Sequence, residues 1–269
     1  MIELFEQDLK TDDRQSSKGN QLKWKKGNIW YKADHSGYEG LAEYIVSHLL
    51  QKSTLSQNEY VLYQEEQIKY KYRVFNGVKS YHFLDKDWQI ITLERLFYQQ
   101  YQKSLYTVLW EMKDVKKRLL FLVDIIERMT GLKDFGKCIN KLFTIDALFL
   151  NEDRHMHNIA VLMNSNGDYD FCPIFDNGAS VLSDTRSDYP LNVDYRILMK
   201  DVQSKSISTD FDDQLDVLEE LFGENIKFSF SAKDVNELLN QITIYSKEEK
   251  ERVLKIMEAQ MYKYQYLFS

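Results

Sequence analysis

The sequence predicts an α+β protein in two lobes, a small β-rich N-lobe over residues 1–87 and a larger, mainly helical C-lobe over residues 88–269. Three observations predict it. A chain of 269 residues is long for one simple core and ordinary for two lobes sharing a cleft. Up to about residue 84, β-branched and tyrosine-rich runs alternate with glycine turns around one helical stretch. From about Asp85 onward, apolar residues recur with helical spacing, interrupted by a single hairpin.

In the N-lobe, an acidic amphipathic start (MIELFEQDLKTDDR) leads to Gln15–Gln21. There Ser16, Ser17, Lys18, Gly19 and Asn20 supply small side chains whose backbone N–H groups can turn toward an anion. Leu22–Lys25, the turn Lys26-Gly27-Asn28 and Ile29–Ala33 read as a hairpin with Lys32 near its end. A loop over a hairpin that ends in lysine can cover nucleotide phosphates, and an ordinary surface hairpin is the competing reading. Tyr38–Leu50 is helical by period, with Leu41, Tyr44, Ile45, His48 and Leu49 on one face. Glu39 and Glu43 share another face, and either can pair with Lys32; Glu39 is the first choice. Tyr60–Tyr63, Ile68–Phe75 and Ser80–Leu84 read as strands, with a hairpin turn at Asn76-Gly77.

In the C-lobe, Thr92–Tyr101, Ser104–Trp110 and Asp114–Thr130 carry helical spacing, and Gly131 stops the last of them. Lys137–Leu150 is nearly apolar all round at its end, as a central helix would be. The polar run VLSDTRSDYPLNVDYR from Val181 reads as a functional mobile segment or a surface insertion. Three helices close the chain: Asp210–Phe222, one capped by Ser231, and one opened by a Ser246/Glu249 capping box.

The chemistry concentrates between Leu148 and Ser180. A polar loop, Asn151–Asn158, holds Asp153, His155 and Asn158. Strands Ile159–Met163 and Tyr169–Phe175 then bring Asp176 back beside it. Two carboxylates and a carboxamide at the open end of a hairpin suit a divalent cation and the phosphates it carries. Asp153 can accept a hydrogen bond from an attacking hydroxyl. Asn158 and Asp176 offer oxygens to Mg²⁺, and Lys32 supplies positive charge across the cleft. His155 reads as support for the loop, and Arg154 can serve a carbonyl, a carboxylate or a phosphate. A rival reading takes His155 and His157 with Asp153 and Asp176 as a hydrolytic metal site. Cys138 and Cys172 read as core residues.

The run Asn151-Glu152-Asp153-Arg154-His155-Met156-His157-Asn158, an apolar strand, and then Pro173-Ile174-Phe175-Asp176 resembles the HipA-like kinase family. Its D-x-H-x-x-N core is also similar to phosphatidylinositol kinases and, more distantly, to aminoglycoside phosphotransferases. The resemblance implies a bilobal protein-kinase-like fold with ATP and Mg²⁺ between the lobes. It implies Asp153 as catalytic aspartate, Asn158 and Asp176 as Mg²⁺ ligands, Lys32 on the ATP phosphates, and residues 16–20 as the phosphate-covering loop. Ser16 or Ser17 would then be an autophosphorylation site, and the acceptor a protein Ser/Thr hydroxyl. The family includes toxins with antitoxin partners. These carry an extra N-terminal subdomain, whereas only about 30 residues precede Lys32, which counts against that partnership. Asp176-Asn177-Gly178 departs from the D-F-G of ordinary protein kinases.

Composition narrows the alternatives. A net charge of −7 argues against non-specific nucleic-acid binding. Two cysteines without a secretory leader fit a reduced, cytoplasmic setting. No apolar run approaches the ~20 residues of a membrane span, and no polybasic run points to a lipid surface. The remaining alternatives are a kinase-fold enzyme acting on a lipid head group, small molecule or modified peptide, a silent binding module, and the metal hydrolase.

Overall fold

The computed structural model describes residues 1–10 and 21–268. The expected phosphate-covering residues Ser16, Ser17, Lys18, Gly19 and Asn20 lie outside them. In the N-lobe, β1 (Ile2–Leu4), β2 (Lys23–Lys26), β3 (Ile29–Ala33), α1 (Glu39–Leu50), β4 (Gln64–Tyr70) and β5 (Arg73–Tyr81) follow one another. The strands form a five-stranded sheet in the order β1-β4-β5-β3-β2. Only the β1–β4 pair is parallel. A small cluster of Leu4, Trp24, Tyr31, Ala33, Ile68 and Tyr70 packs under it.

The second layer begins with β6 (Trp88–Thr92), which pairs with β7 (Ala160–Asn164), itself paired with β8 (Tyr169–Phe171). The helices are α2 (Leu93–Tyr101), α3 (Leu105–Glu111), α4 (Val115–Thr130), α5 (Phe135–Phe149), α6 (Tyr195–Asp201), α7 (Phe211–Phe222), α8 (Ala232–Gln241) and α9 (Lys247–Lys263). Side chains of Thr92, Ser104, Asp114, Asp194, Asp210, Ser231 and Ser246 cap α2, α3, α4 and α6 to α9 respectively. Gly131 ends α4 at φ 74°. α5 packs against α4, α7 and α9. Its Ile139, Phe143, Ala147, Leu148 and Phe149 are fully buried, each large side chain contributing about 1.5–3 kcal/mol.

Several expectations are corrected. Asn76-Gly77 is not a turn: it lies inside β5, opposite Gln67 and Glu66. The chain turns instead at Lys71-Tyr72, where Lys71 takes a positive φ of 55°. Gly77 is needed for close strand approach, since a Cβ there would lie 2.1 Å from the Lys32 carbonyl oxygen. Gly77→Ala should therefore lower stability by about 1–3 kcal/mol, read as a drop in the urea midpoint. An unchanged midpoint would mean that the two strands separate without cost.

Tyr60–Tyr63 is not a strand but makes a single bridge from Tyr60 to Ile174. β8 stops at Phe171, short of Pro173, which has no N–H to give a ladder. Trp88–Thr92, within the stretch from about Asp85 read as helical in character, is β6. Its Ile90 and Ile91 face Leu162 and Val161.

The run from Val181 is no surface insertion. Val181, Leu182, Ser183, Asp184 and Tyr189 are buried. The Tyr38 hydroxyl donates to the Val181 carbonyl (2.7 Å) and Arg252 Nη1 to the Tyr189 carbonyl (2.7 Å). Among the described residues, no helix is long and apolar enough to cross a membrane.

Candidate active site

The loop after α5 is held by charges buried beneath it. α5 ends on Leu150 in the left-handed region (φ 55°), and the Asn151 N–H returns to the Asp146 carbonyl (2.8 Å). Asp146 is the one acid of α5, and it is fully buried. It accepts from Asn151 Nδ2 at 2.8 Å and from Arg154 Nε at 3.0 and 3.2 Å. Arg154 reaches onward. Its Nη1 donates to the Phe175 carbonyl (2.9 Å) and its Nη2 to Asn177 Oδ1 (2.8 Å). One guanidinium thus ties α5, the loop and the segment around Asp176 together, which answers the question the sequence left open for it.

Asp176 itself takes φ 62°, a conformation that costs an L-residue about 1–2 kcal/mol. Its neighbours enforce it: the Phe175 carbonyl is held by Arg154, and the Asn177 N–H donates to Glu43 Oε2 (2.9 Å). Its Oδ1 accepts from Lys32 Nζ at 2.7 Å. Lys32 also donates to Glu43 Oε1 (2.6 Å) and to the Tyr63 hydroxyl (3.3 Å).

The partner of Lys32 is therefore Glu43, and the choice of Glu39 is corrected. α1 is buried on nearly every side, so Glu43, one turn into it, faces β3 at 1% exposure. Glu39 is the first residue of α1, and its carboxylate folds back over the preceding loop. It accepts from the N–H groups of His35, Ser36 and Gly37, the closest at 2.6 Å.

These charges shift one another. Burial works against the Lys32 ammonium, but Asp176 and Glu43 outweigh it and hold Lys32 protonated. Burial likewise pushes the Asp176 carboxyl up, and Lys32, Lys23 and Arg154 together hold it well below the usual carboxylate range.

Asp153, Asn158 and Asp176 line one small cavity of about 60 Å³, which Glu39 and Lys23 also line. Asn158 Nδ2 donates to the Asp153 carbonyl (2.8 Å) and more weakly to Asp153 Oδ2 (3.4 Å). That orientation spends the NH₂ on the protein side and leaves the amide oxygen as the atom a hard cation would take. His155 Nε2 lies 4.0 Å from Asp153 Oδ1, and burial holds its ring below the ordinary histidine range. Lys205 Nζ stands 3.6 Å from the same oxygen.

The donor set fits Mg²⁺ held by one carboxylate, one carboxamide, waters and phosphate oxygens. Among the described residues, no group of three or more His, Cys, Asp or Glu side chains is arranged to hold an ion. The rings of His155 and His157 stand perpendicular, 5.6 Å apart. Burial pushes the thiols of Cys138 and Cys172 up to about 12, so neither is a ready nucleophile or ligand.

Four contributors went unread in the sequence. Asp146 had a signal, a lone acid within an apolar helical run. Asn177, and Glu152 with its bond from the Tyr189 hydroxyl (2.5 Å), sit beside singled-out residues but carry no pattern of their own. Lys205 comes from a distant loop without any sequence cue.

No family model matches the chain, and no curated protein matches it. Among solved structures it is similar to CtkA, a proinflammatory kinase of Helicobacter pylori. The similarity covers 97% of this chain and 95% of that one, with a TM-score of 0.65 at 18% identity. The chain has a bilobal kinase-like fold, a small sheet lobe above a larger helical one.

Proposed function

We propose that this chain is an ATP- and Mg²⁺-dependent phosphotransferase, a HipA-like Ser/Thr protein kinase able to phosphorylate itself, with its lobes dividing near residues 87–88. One observation carries the reading. Asp153, Asn158 and Asp176 line a single cavity on a kinase-like fold, and Lys32 is bonded to both Asp176 and Glu43. Bound ATP and Mg²⁺ would supply the phosphoryl group and neutralise its charge. Asp176 and the Asn158 amide oxygen would hold the cation, and Lys32, aimed by Glu43, the phosphates. Asp153 accepts the proton of the acceptor hydroxyl as that oxygen bonds to the γ-phosphorus. The bond from phosphorus to the β-phosphate oxygen breaks, and ADP leaves with the electron pair. His155, largely neutral near pH 7, packs the loop and keeps Asp153 oriented.

The test is a Mg²⁺ titration of ATP binding. In Asp176→Ala, Mg²⁺-dependent affinity should fall about 10–100-fold, while metal-free ATP binds no worse, since Lys32 loses a competing carboxylate. An unchanged Mg²⁺ dependence would move the metal site elsewhere.

A further inference from the structure

Lys205 stands on a strap that the fold fastens on both sides of it. In Ser204-Lys205-Ser206-Ile207-Ser208 the other four residues are buried and Lys205 is exposed. Ser204 Oγ donates to Gln214 Oε1 (3.2 Å), and the Ser204 N–H donates to the Thr209 carbonyl (3.0 Å). The Ile207 carbonyl accepts from Arg118 Nη1 (2.7 Å). Ser206 Oγ donates to the Arg154 carbonyl (2.6 Å). Arg154 follows Asp153 in the chain, so a residue next to Lys205 is bonded to a residue next to Asp153. This fastening sets the Lys205 ammonium 3.6 Å from Asp153 Oδ1. An incidental surface ion pair adds little stability and needs no such fastening.

Two basic side chains lie within 4.0 Å of Asp153 Oδ1 among the described residues, His155 and Lys205. Burial holds the His155 ring below the ordinary histidine range, so near pH 7 the positive charge at this carboxylate is that of Lys205. Lys32 is committed elsewhere, bonded to Asp176, Glu43 and the Tyr63 hydroxyl. At 3.6 Å the Lys205 contact is an ion pair and not a hydrogen bond, so its N–H donors remain for an incoming oxygen. Asp153 lines the small cavity with Asn158 and Asp176, whereas Lys205 lines a larger one of about 650 Å³. The pair therefore stands where the two spaces meet.

We propose that Lys205 is a further catalytic residue, which donates to an oxygen of the phosphoryl group as that group passes from ATP to a hydroxyl held at Asp153. The proposal rests on the phosphotransferase reading and divides the work of its two lysines. Lys32 serves the bound nucleotide, and Lys205 serves the group in transit, whose charge spreads over three equatorial oxygens. The hydroxyl proton passes to Asp153, the oxygen–phosphorus bond forms, and ADP departs with the electrons of the broken bond. Lys205 stays protonated throughout and only shields the charge. A donor aimed at transit charge acts on the rate more than on ATP binding.

The experiment compares the protein with Lys205→Met and Lys205→Arg. Single-turnover transfer to a serine-containing peptide is read beside the affinity for Mg²⁺-ATP. The affinity for Mg²⁺-ADP with aluminium fluoride, which mimics the phosphoryl group in transit, is read separately, and urea midpoints follow the fold. Lys205→Met should transfer about 10–100-fold more slowly and bind the aluminium fluoride complex about tenfold more weakly, at unchanged Mg²⁺-ATP affinity and urea midpoint. Lys205→Arg keeps the charge and should recover part of both losses. Transfer by Lys205→Met at the parent rate, or undiminished binding of the aluminium fluoride complex, overturns the proposal and leaves the kinase reading standing. A parallel fall in ATP affinity and urea midpoint also overturns it, as the mark of a structural lysine. Absence of transfer from the parent protein to any hydroxyl sinks the kinase reading and this proposal together.

Discussion

Asp153→Asn is expected to lower phosphate transfer by about 10²–10⁴-fold while ATP affinity and fold are kept. An amide cannot accept the hydroxyl proton, and the two described groups nearest its carboxylate are poor replacements. His155 is 4.0 Å away and Lys205 is a cation. The fold should survive because the stronger Asn158 contact is to the backbone carbonyl of Asp153, which the substitution leaves in place. Single-turnover transfer, nucleotide affinity and the urea midpoint separate these effects. Normal turnover would remove Asp153 from the chemistry.

The largest expected stability loss is at Asp146. Its removal leaves Arg154, itself 2% exposed, as a buried charge without its counter-ion. Breaking a buried pair from one side costs about 3–5 kcal/mol, a large share of a domain's stability. Asp146→Ala should therefore shift the urea midpoint steeply. The damage should also reach the site, since Arg154 clamps the Phe175 carbonyl and Asn177 on either side of Asp176. In the fraction that still folds, Mg²⁺-dependent ATP binding should weaken. A loss below about 1 kcal/mol would show that water or a rearranged partner satisfies Arg154.

What could be read in the sequence was local. Most helices announced themselves through periodicity and end signals such as Gly131, Ser231 and Ser246, but α6, which starts inside the run read as a polar segment, did not. The loop and hairpin that carry Asp153, Asn158 and Asp176 are contiguous, so their proximity follows from a turn. The sheet was harder. Asn76-Gly77 has the chemistry of a turn, but its glycine serves the close approach of β5 to β3, a tertiary demand invisible from one strand. Glu39 and Glu43 look alike on a helical wheel. Burial of α1 on both sides gives Glu43 to Lys32 and leaves Glu39 to the loop. The run VLSDTRSDYPLNVDYR from Val181 read as a polar segment because its polar side chains are mixed with Val181, Leu182 and Tyr189, which pack inward. Lys205 meets Asp153 across some fifty residues of chain, a pairing that only the folded protein displays.

The most direct measurement is incubation of the protein with γ-labelled ATP, Mg²⁺ and a serine-containing acceptor peptide, beside Asp153→Asn, followed by intact and peptide mass spectrometry. The expected result is a phosphoryl group on a serine or threonine of the protein or the peptide, absent from the variant. ATP bound in the cleft with no phosphoryl group on any hydroxyl would contradict the assignment of a protein kinase.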